Sequence, residues 1–276
     1  SSDVCSSDLM ERRLWELCCD IIDHAFADEV KKKQYKHVYI QISTKKLKSL
    51  HGDYYPDERT IRLVNLERDN EAIKCTLLHE LAHHIDNMNR GITDHSAEFY
   101  KVYSIILKAA VEMGIVTVSK ILSMKRDASD TNKVKRIVER LNVSKITDYK
   151  EGKLLVQVKK AYLIKETLYV KGYRWNKLSR TWDKEIEENT KEEVINELLN
   201  LTEEANIKII SAKETNFEHY KDVSIKNGYV YKEILRKRGY YYNKKVWSKK
   251  VNSNDIRREI KELQEIGINI NDIKMK

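Results

Sequence analysis

Apolar positions first recur at helical spacing: Leu14, Leu17, Cys18, Ile21, Ile22 and Ala25 fall on one side of an amphipathic helix. The period then shortens to two. Val38-Tyr39-Ile40-Gln41-Ile42 alternates, and Thr60-Ile61-Arg62-Leu63-Val64-Asn65-Leu66 reads as a second strand. Between them, residues 51–59 have turn chemistry and include the single proline, Pro56. Helical spacing returns with Ala72, Ile73, Leu77, Leu78, Leu81, Ala82 and Ile85, a stripe broad enough to bury a helix against a core. Gly91 is the expected stop, because glycine takes the left-handed C-terminal conformation without steric cost. Thr93 or Asp94 is expected to cap a further helix through Phe99, Tyr103, Ile106 and Leu107, with His95 in its first turn. Helix, small sheet, helix, helix predicts an α+β domain over residues 10–122.

Polar, aperiodic residues 123–132 mark a boundary, and Lys133 to Leu141 reads as a short basic helix, so 123–152 is expected to be a linker. Beyond it the chain repeats itself, predicting two small α/β modules over residues 153–215 and 216–276. Residues 162–176, opening Tyr162-Leu163-Ile164-Lys165-Glu166, align with residues 229–243, opening Tyr229-Val230-Tyr231-Lys232-Glu233. Trp182-Asp183-Lys184-Glu185-Ile186 then matches Trp247-Ser248-Lys249-Lys250-Val251. Each copy reads as helix, hairpin, helix and a short strand, the last at Ile207-Lys208-Ile209 or Ile268-Asn269-Ile270. Residues 1–9 lack periodicity and read as a leader foreign to the fold, with Met10 as the expected natural start.

The helical pattern over residues 72–85 carries His79-Glu80-Leu81-Ala82-His83. On a helix, positions i and i+4 share a face, so the imidazoles of His79 and His83 can converge on one cation. Two neutral imidazoles suit Zn²⁺, which needs a third protein ligand and an open position to activate water. His95, beyond a turn, is the best third candidate, with Asp86 and Glu98 as carboxylate alternatives. Glu80 is placed to serve the bound water as a general base. Asp86 is expected to orient a ligand imidazole, and His84 points about 100° away from His83. Tyr100 and Tyr103 are guesses for a transition-state stabiliser.

His51-Gly52-Asp53-Tyr54, Ile61-Arg62-Leu63, Leu78-His79-Glu80-Leu81-Ala82-His83 and His95-Ser96-Ala97-Glu98-Phe99 together resemble the SprT-like zinc metallopeptidases of phage and bacteria. The resemblance covers roughly residues 10–118. It implies a zincin-like fold, zinc ligation by His79, His83 and His95, and Glu80 as catalytic acid/base. Ser96 stands where the family pattern has glycine, and the chain has no cysteine cluster for the zinc ribbon of many members.

Charge separates the two halves. Residues 1–120 hold 17 Lys and Arg against 19 Asp and Glu, whereas residues 121–276 hold 35 against 24, so the whole net +9 belongs to the second half. That asymmetry points to a polyanion partner, most simply nucleic acid, with DNA, single- or double-stranded, as the expected form. The module hairpins place Arg174, Trp175, Lys177, Arg180, Tyr242, Lys244, Lys245 and Lys249 as candidate nucleic-acid contacts, since base stacking plus phosphate contact calls for aromatics among cations. Trp182 and Trp247 are expected to pack on their own helices. No apolar run reaches membrane-spanning length. Four cysteines with no C-x-x-C pair suit a reducing, cytoplasmic setting. Eight glycines and one proline among many Lys, Asn, Ile and Tyr fit an AT-rich coding source such as phage. The reading is a zinc endopeptidase acting on a protein or peptide and recruited to nucleic acid; the alternative is a nucleic-acid-binding protein with a structural or inactive metal domain.

Overall fold

The computed structural model describes residues 8–213 and 217–276. The leader expected over residues 1–9 lies outside them except for Asp8 and Leu9, which open the first helix. Contacts divide the chain into two compact units, one of residues 1–176 with 181–216 and one of residues 177–180 with 217–276.

In the first unit α1 (Asp8–Ala25) and α2 (Glu29–Tyr35) precede β1 (Tyr39–Ile42), β2 (Gly52–Tyr55) and β3 (Thr60–Leu63). The three strands form a sheet of order β1-β3-β2, with β1 parallel to β3 and β2 antiparallel to it at the edge. Two elements depart from expectation. The run Lys31-Lys32-Lys33 masks any helical period in α2, which the Asp28 cap starts and which buries only Tyr35. β2 occupies half of the expected turn. Glycine and aspartate are poor strand formers, but Asp53 lies opposite Arg62 and the two close a bidentate ion pair at 3.0 and 2.7 Å across the strands.

α3 (Asn70–Arg90) begins at Asp69, whose carboxylate accepts from the Ala72 N–H, and ends at Gly91 with φ 73°. α4 (Ala97–Glu112) is entered through Ser96, so His95 lies in the connecting turn rather than in the first helical turn. α1, α3 and α4 pack together and, with β3, bury Leu14, Ile21, Ile22, Ile61, Leu63, Leu77, Leu81, Phe99 and Ile106 completely. Each such side chain contributes about 1.5–3 kcal/mol relative to exposure. α5 (Val118–Ser123) and α6 (Ala128–Arg140) follow. α6 begins five residues before the expected Lys133. The polar run read as a linker is its cap and first turn: Asp127 accepts from the Asp130 N–H at 2.8 Å. Residues 141–150 also fold back, Thr147 donating its N–H to the Glu112 carbonyl at 2.7 Å.

The rest of the first unit is β4 (Lys153–Val158), α7 (Lys165–Val170), β5 (Arg174–Asn176), β6 (Thr181–Glu187), α8 (Lys191–Leu199) and β7 (Ile207–Ser211), the strands in order β5-β6-β4-β7. The second unit runs β8 (Tyr220–Ile225), α9 (Lys232–Lys237), β9 (Tyr241–Asn243), β10 (Val246–Asn252), α10 (Ile256–Glu265) and β11 (Ile273–Met275), in order β9-β10-β8-β11. Element sequence and strand order are the same in both. A strand absent from the helix–hairpin–helix–strand reading, β4 or β8, sits inside each sheet between hairpin and last strand. The final strand of the second unit also falls later than expected: Ile268 is core and Ile270 starts a 3-10 turn before β11. Among the described residues no helix is long and apolar enough to cross a membrane.

Candidate metal centre

His79 and His83 lie one turn apart on α3, and the turn into α4 brings His95 to them. The Nε2 atoms form a triangle with sides 3.2, 3.2 and 3.3 Å. A tetrahedral metal ion about 2.0–2.1 Å from each nitrogen spaces its ligands roughly 3.3 Å apart, so the imidazoles fit one ion without rearrangement. Mutual hydrogen bonding does not account for the triangle. His83 Nδ1 is 2.7 Å from Thr93 Oγ1, and His95 Nδ1 is 3.4 Å from Asp130 Oδ2. With the ring protons assigned to those partners, the Nε2 lone pairs of His83 and His95 face the point shared with His79, an arrangement a cation stabilises. Burial, then the neighbouring imidazoles, push His79 down to about 3, and burial with the charge of His95 pushes His83 down to about 4. Both rings are therefore neutral at pH 7, as ligation requires.

Packing fixes the rings. Phe99 stacks on His83 with centroids 4.2 Å apart, and Tyr103 meets His79 edge-on at 5.4 Å. The turn is braced by Arg90, which holds Asp86 through two 2.7 Å hydrogen bonds and reaches Asp94 at 2.9 Å and Ser96 Oγ at 3.2 Å. Asp86 is thus committed to Arg90 and does not orient a ligand imidazole, contrary to expectation; it anchors the turn that delivers His95. The other carboxylate alternative, Glu98, pairs at the surface with Lys101 at 2.9 Å. His84 is fully buried and links α3 to Tyr54 Oη at 3.0 Å and to the Tyr35 carbonyl at 2.9 Å. It is a structural residue.

Glu80 is 7% exposed; burial, then the charge of Asp53, pushes its carboxyl up to about 8. β2 runs tightly against α3 here. A Cβ on Gly52 would lie 2.7 Å from Thr76 Cγ2 and 3.3 Å from Glu80 Cγ, so only glycine lets the edge strand approach. Tyr100 and Tyr103, guessed as stabilisers, are engaged elsewhere: the Tyr100 hydroxyl donates to Asp130, and Tyr103 is buried. Thr93, Asp130 and Gly52 escape sequence reasoning. A hydroxyl residue two positions before a candidate ligand was the only available signal for Thr93, and nothing in the chain tied Asp130 to residue 95.

The module hairpins divide into buried and exposed halves. Tyr173, Tyr240 and Trp247 are core and Trp182 is half-buried. Trp175 and Tyr242 are exposed against them, with ring centroids 5.9 Å from Trp182 and 5.1 Å from Trp247. Lys177, Lys244 and Lys245 are exposed in the turns, the last two with φ of 47° and 66° as a tight hairpin requires. Arg180 is 3.6 Å from Asp222. Two candidates are held by their own module: Arg174 donates to the carbonyls of Tyr169 and Tyr173 at 3.1 and 2.8 Å, and half-buried Lys249 lies 3.5 Å from Glu259.

A three-histidine centre on one helix and the turn that follows it, flanked by a buried glutamate and an edge strand, defines a site able to hold a metal ion. Residues 19–119, which carry all three histidines and Glu80, match the SprT-like family. No curated protein and no solved structure matches the chain.

Proposed function

We propose that this chain is a zinc-dependent endopeptidase with a zincin-like catalytic domain, brought to nucleic acid by its basic second half. The convergence of three imidazole nitrogens beside a buried carboxylate carries the reading. His79, His83 and His95 would hold zinc, leaving a fourth position; bound zinc supplies a water of lowered pKa and polarises a carbonyl. Glu80, whose ionised form the charge of a bound dication would favour over the burial that raises its carboxyl, takes the water's proton as a carboxylate and returns it to the leaving amine. β2 is an edge strand beside α3, so its open side suits an extended peptide paired through main-chain hydrogen bonds. The free, buried thiols of Cys18, Cys19 and Cys75 fit a reducing, cytoplasmic setting.

The alternative is a nucleic-acid-binding protein whose metal domain is structural. Such a site closes its fourth position and has no use for a carboxylate like Glu80. The two are separated by Glu80→Gln, assayed on an unfolded protein with zinc content measured in parallel. The variant is expected to keep zinc and lose activity by about 10²–10⁴-fold. Full activity in the variant removes Glu80 from the mechanism, and inactivity of zinc-loaded wild type favours the alternative.

A further inference from the structure

We infer that single-stranded nucleic acid is gripped at the tip preceding the first helix of each module, by Tyr162, Leu163 and Lys165 in one and Tyr229, Val230 and Lys232 in the other. The inference rests on the nucleic-acid part of the proposed function and moves the contact away from the hairpins. Tyr173, Trp182, Tyr240 and Trp247 of the hairpins are taken up by the module cores and Trp175, Tyr241 and Tyr242 remain partly open, whereas the tips are more exposed still. Tyr162 is 76% and Leu163 96% exposed; Tyr229 is 67% and Val230 87% exposed. A single exposed apolar residue needs no explanation. The same Tyr-aliphatic pair held open at matching positions of two modules does, because neither contributes to its module's core.

Local architecture explains why the pair faces outward. In each module a 3-10 turn, Tyr162–Ile164 or Gly228–Tyr231, leads into the short helix. Ile164 with Leu168, and Tyr231 with Leu235, turn inward to the core, which leaves the preceding two side chains pointing away. The following lysine lies over the tyrosine ring in both, Lys165 at 4.7 Å and Lys232 at 5.0 Å from the centroid. A cation on one face holds the ring in place and leaves the other face for a base.

Charge selects the partner. Residues 159–174 carry five Lys and Arg against the single acid Glu166, and residues 226–241 carry five against the single acid Glu233. Residues 181–205 of the first module, by contrast, carry nine acids against two lysines. Each exposed ring thus sits in a locally basic stretch, and in the first module that stretch stands out against an acidic β6 and α8, as phosphate contact beside a stacked base demands. Unpaired bases are required because the rings of a duplex are stacked on one another and unavailable to a tyrosine.

The test is fluorescence anisotropy with the full-length chain, a labelled oligothymidylate and a duplex of equal length, over a range of salt. Tyr162→Ala with Tyr229→Ala is expected to weaken single-strand binding by about fivefold or more per ring, with the salt slope retained. Lys165→Gln with Lys232→Gln is expected to flatten the salt slope. The substituted tyrosines are exposed, so circular dichroism should be unchanged. Trp175→Ser with Tyr242→Ser provides the comparison. Loss of binding there, with the tip variants unaffected, overturns the tip assignment while leaving nucleic-acid binding intact. Equal loss on duplex and single strand overturns the stacking role. Failure of the unsubstituted chain to bind either probe at low salt removes the underlying reading and the inference with it.

Discussion

Asp130 shows how far one side chain can matter to a site it does not enter. Its carboxylate lies 3.4 Å from His95 Nδ1 and also receives the Tyr100 hydroxyl, so it sets both the tautomer and the plane of the one imidazole that does not sit on α3. His83 has a corresponding support in Thr93 at 2.7 Å. Loss of such a partner typically lowers metal affinity by 10–100-fold. Asp130→Ala is therefore expected to release zinc to a chromophoric chelator at concentrations about 10–100 times lower than wild type does, while Asp130→Asn, which keeps an acceptor, recovers most of the difference. An alanine variant with wild-type affinity would mean that the helix packing alone positions His95. The convergence of His79 and His83 was legible in sequence because i, i+4 spacing is a strong geometric constraint, and His95 because a turn returns it to the same face. Their supports were not, because Asp130 lies 35 residues beyond His95 and reaches it only through tertiary packing.

At the scale of elements, the long amphipathic helices were readable and the short or highly charged ones were not. α1, α3 and α4 each bury a broad apolar stripe, and that periodicity survives in the chain. α2 buries only Tyr35, so no period stands out, while in α6, which buries only Val134, the helix is legible from Lys133 onward but its polar first turn is not. β2 exists because β3 offers it a ladder, an interaction no local propensity encodes. In the second unit the decisive element contact is also tertiary. Glu259 of α10 accepts from the Tyr240 hydroxyl at 2.8 Å and from Arg238 at 2.9 Å, with Lys249 at 3.5 Å. Burial works to raise this carboxyl, but the Tyr240 hydrogen bond, Lys249 and Arg238 outweigh it and hold it below the ordinary carboxylate value. A carboxyl depressed on folding adds stability above its unfolded pKa, about 4.3, and loses it as the pH falls through the folded value. Glu259→Gln should therefore destabilise the protein by about 1–3 kcal/mol at pH 7. Thermal melts repeated down to pH 3 should show the gap between variant and wild type closing; a gap independent of pH would mean that shape rather than charge is what the residue supplies.

For the whole molecule, the governing fact is the segregation of charge. Residues 1–120 have more acids than bases, 19 to 17, so the proposed catalytic part gains nothing from a polyanion, while residues 121–276 hold 35 bases to 24 acids. On the proposed reading, a substrate protein seated on the same nucleic acid meets the metal centre at an effective concentration set by the shared strand rather than by bulk solution. Tethering of that kind accelerates attack on a bound protein but leaves a short peptide with no affinity for nucleic acid untouched. The measurement is the cleavage rate of a nucleic-acid-binding protein and of such a peptide, each with and without long single-stranded DNA, at low and high salt. The protein should be cut faster with DNA present and the peptide at an unchanged rate. The advantage should shrink as salt rises, because phosphate contacts weaken steeply with counterion concentration. Equal acceleration of both substrates would point instead to DNA acting on the metal centre itself, a coupling for which charge segregation supplies no reason. An advantage that persisted at high salt would place the recruiting contacts on apolar surface, and the basic residues of the second half would lose their role.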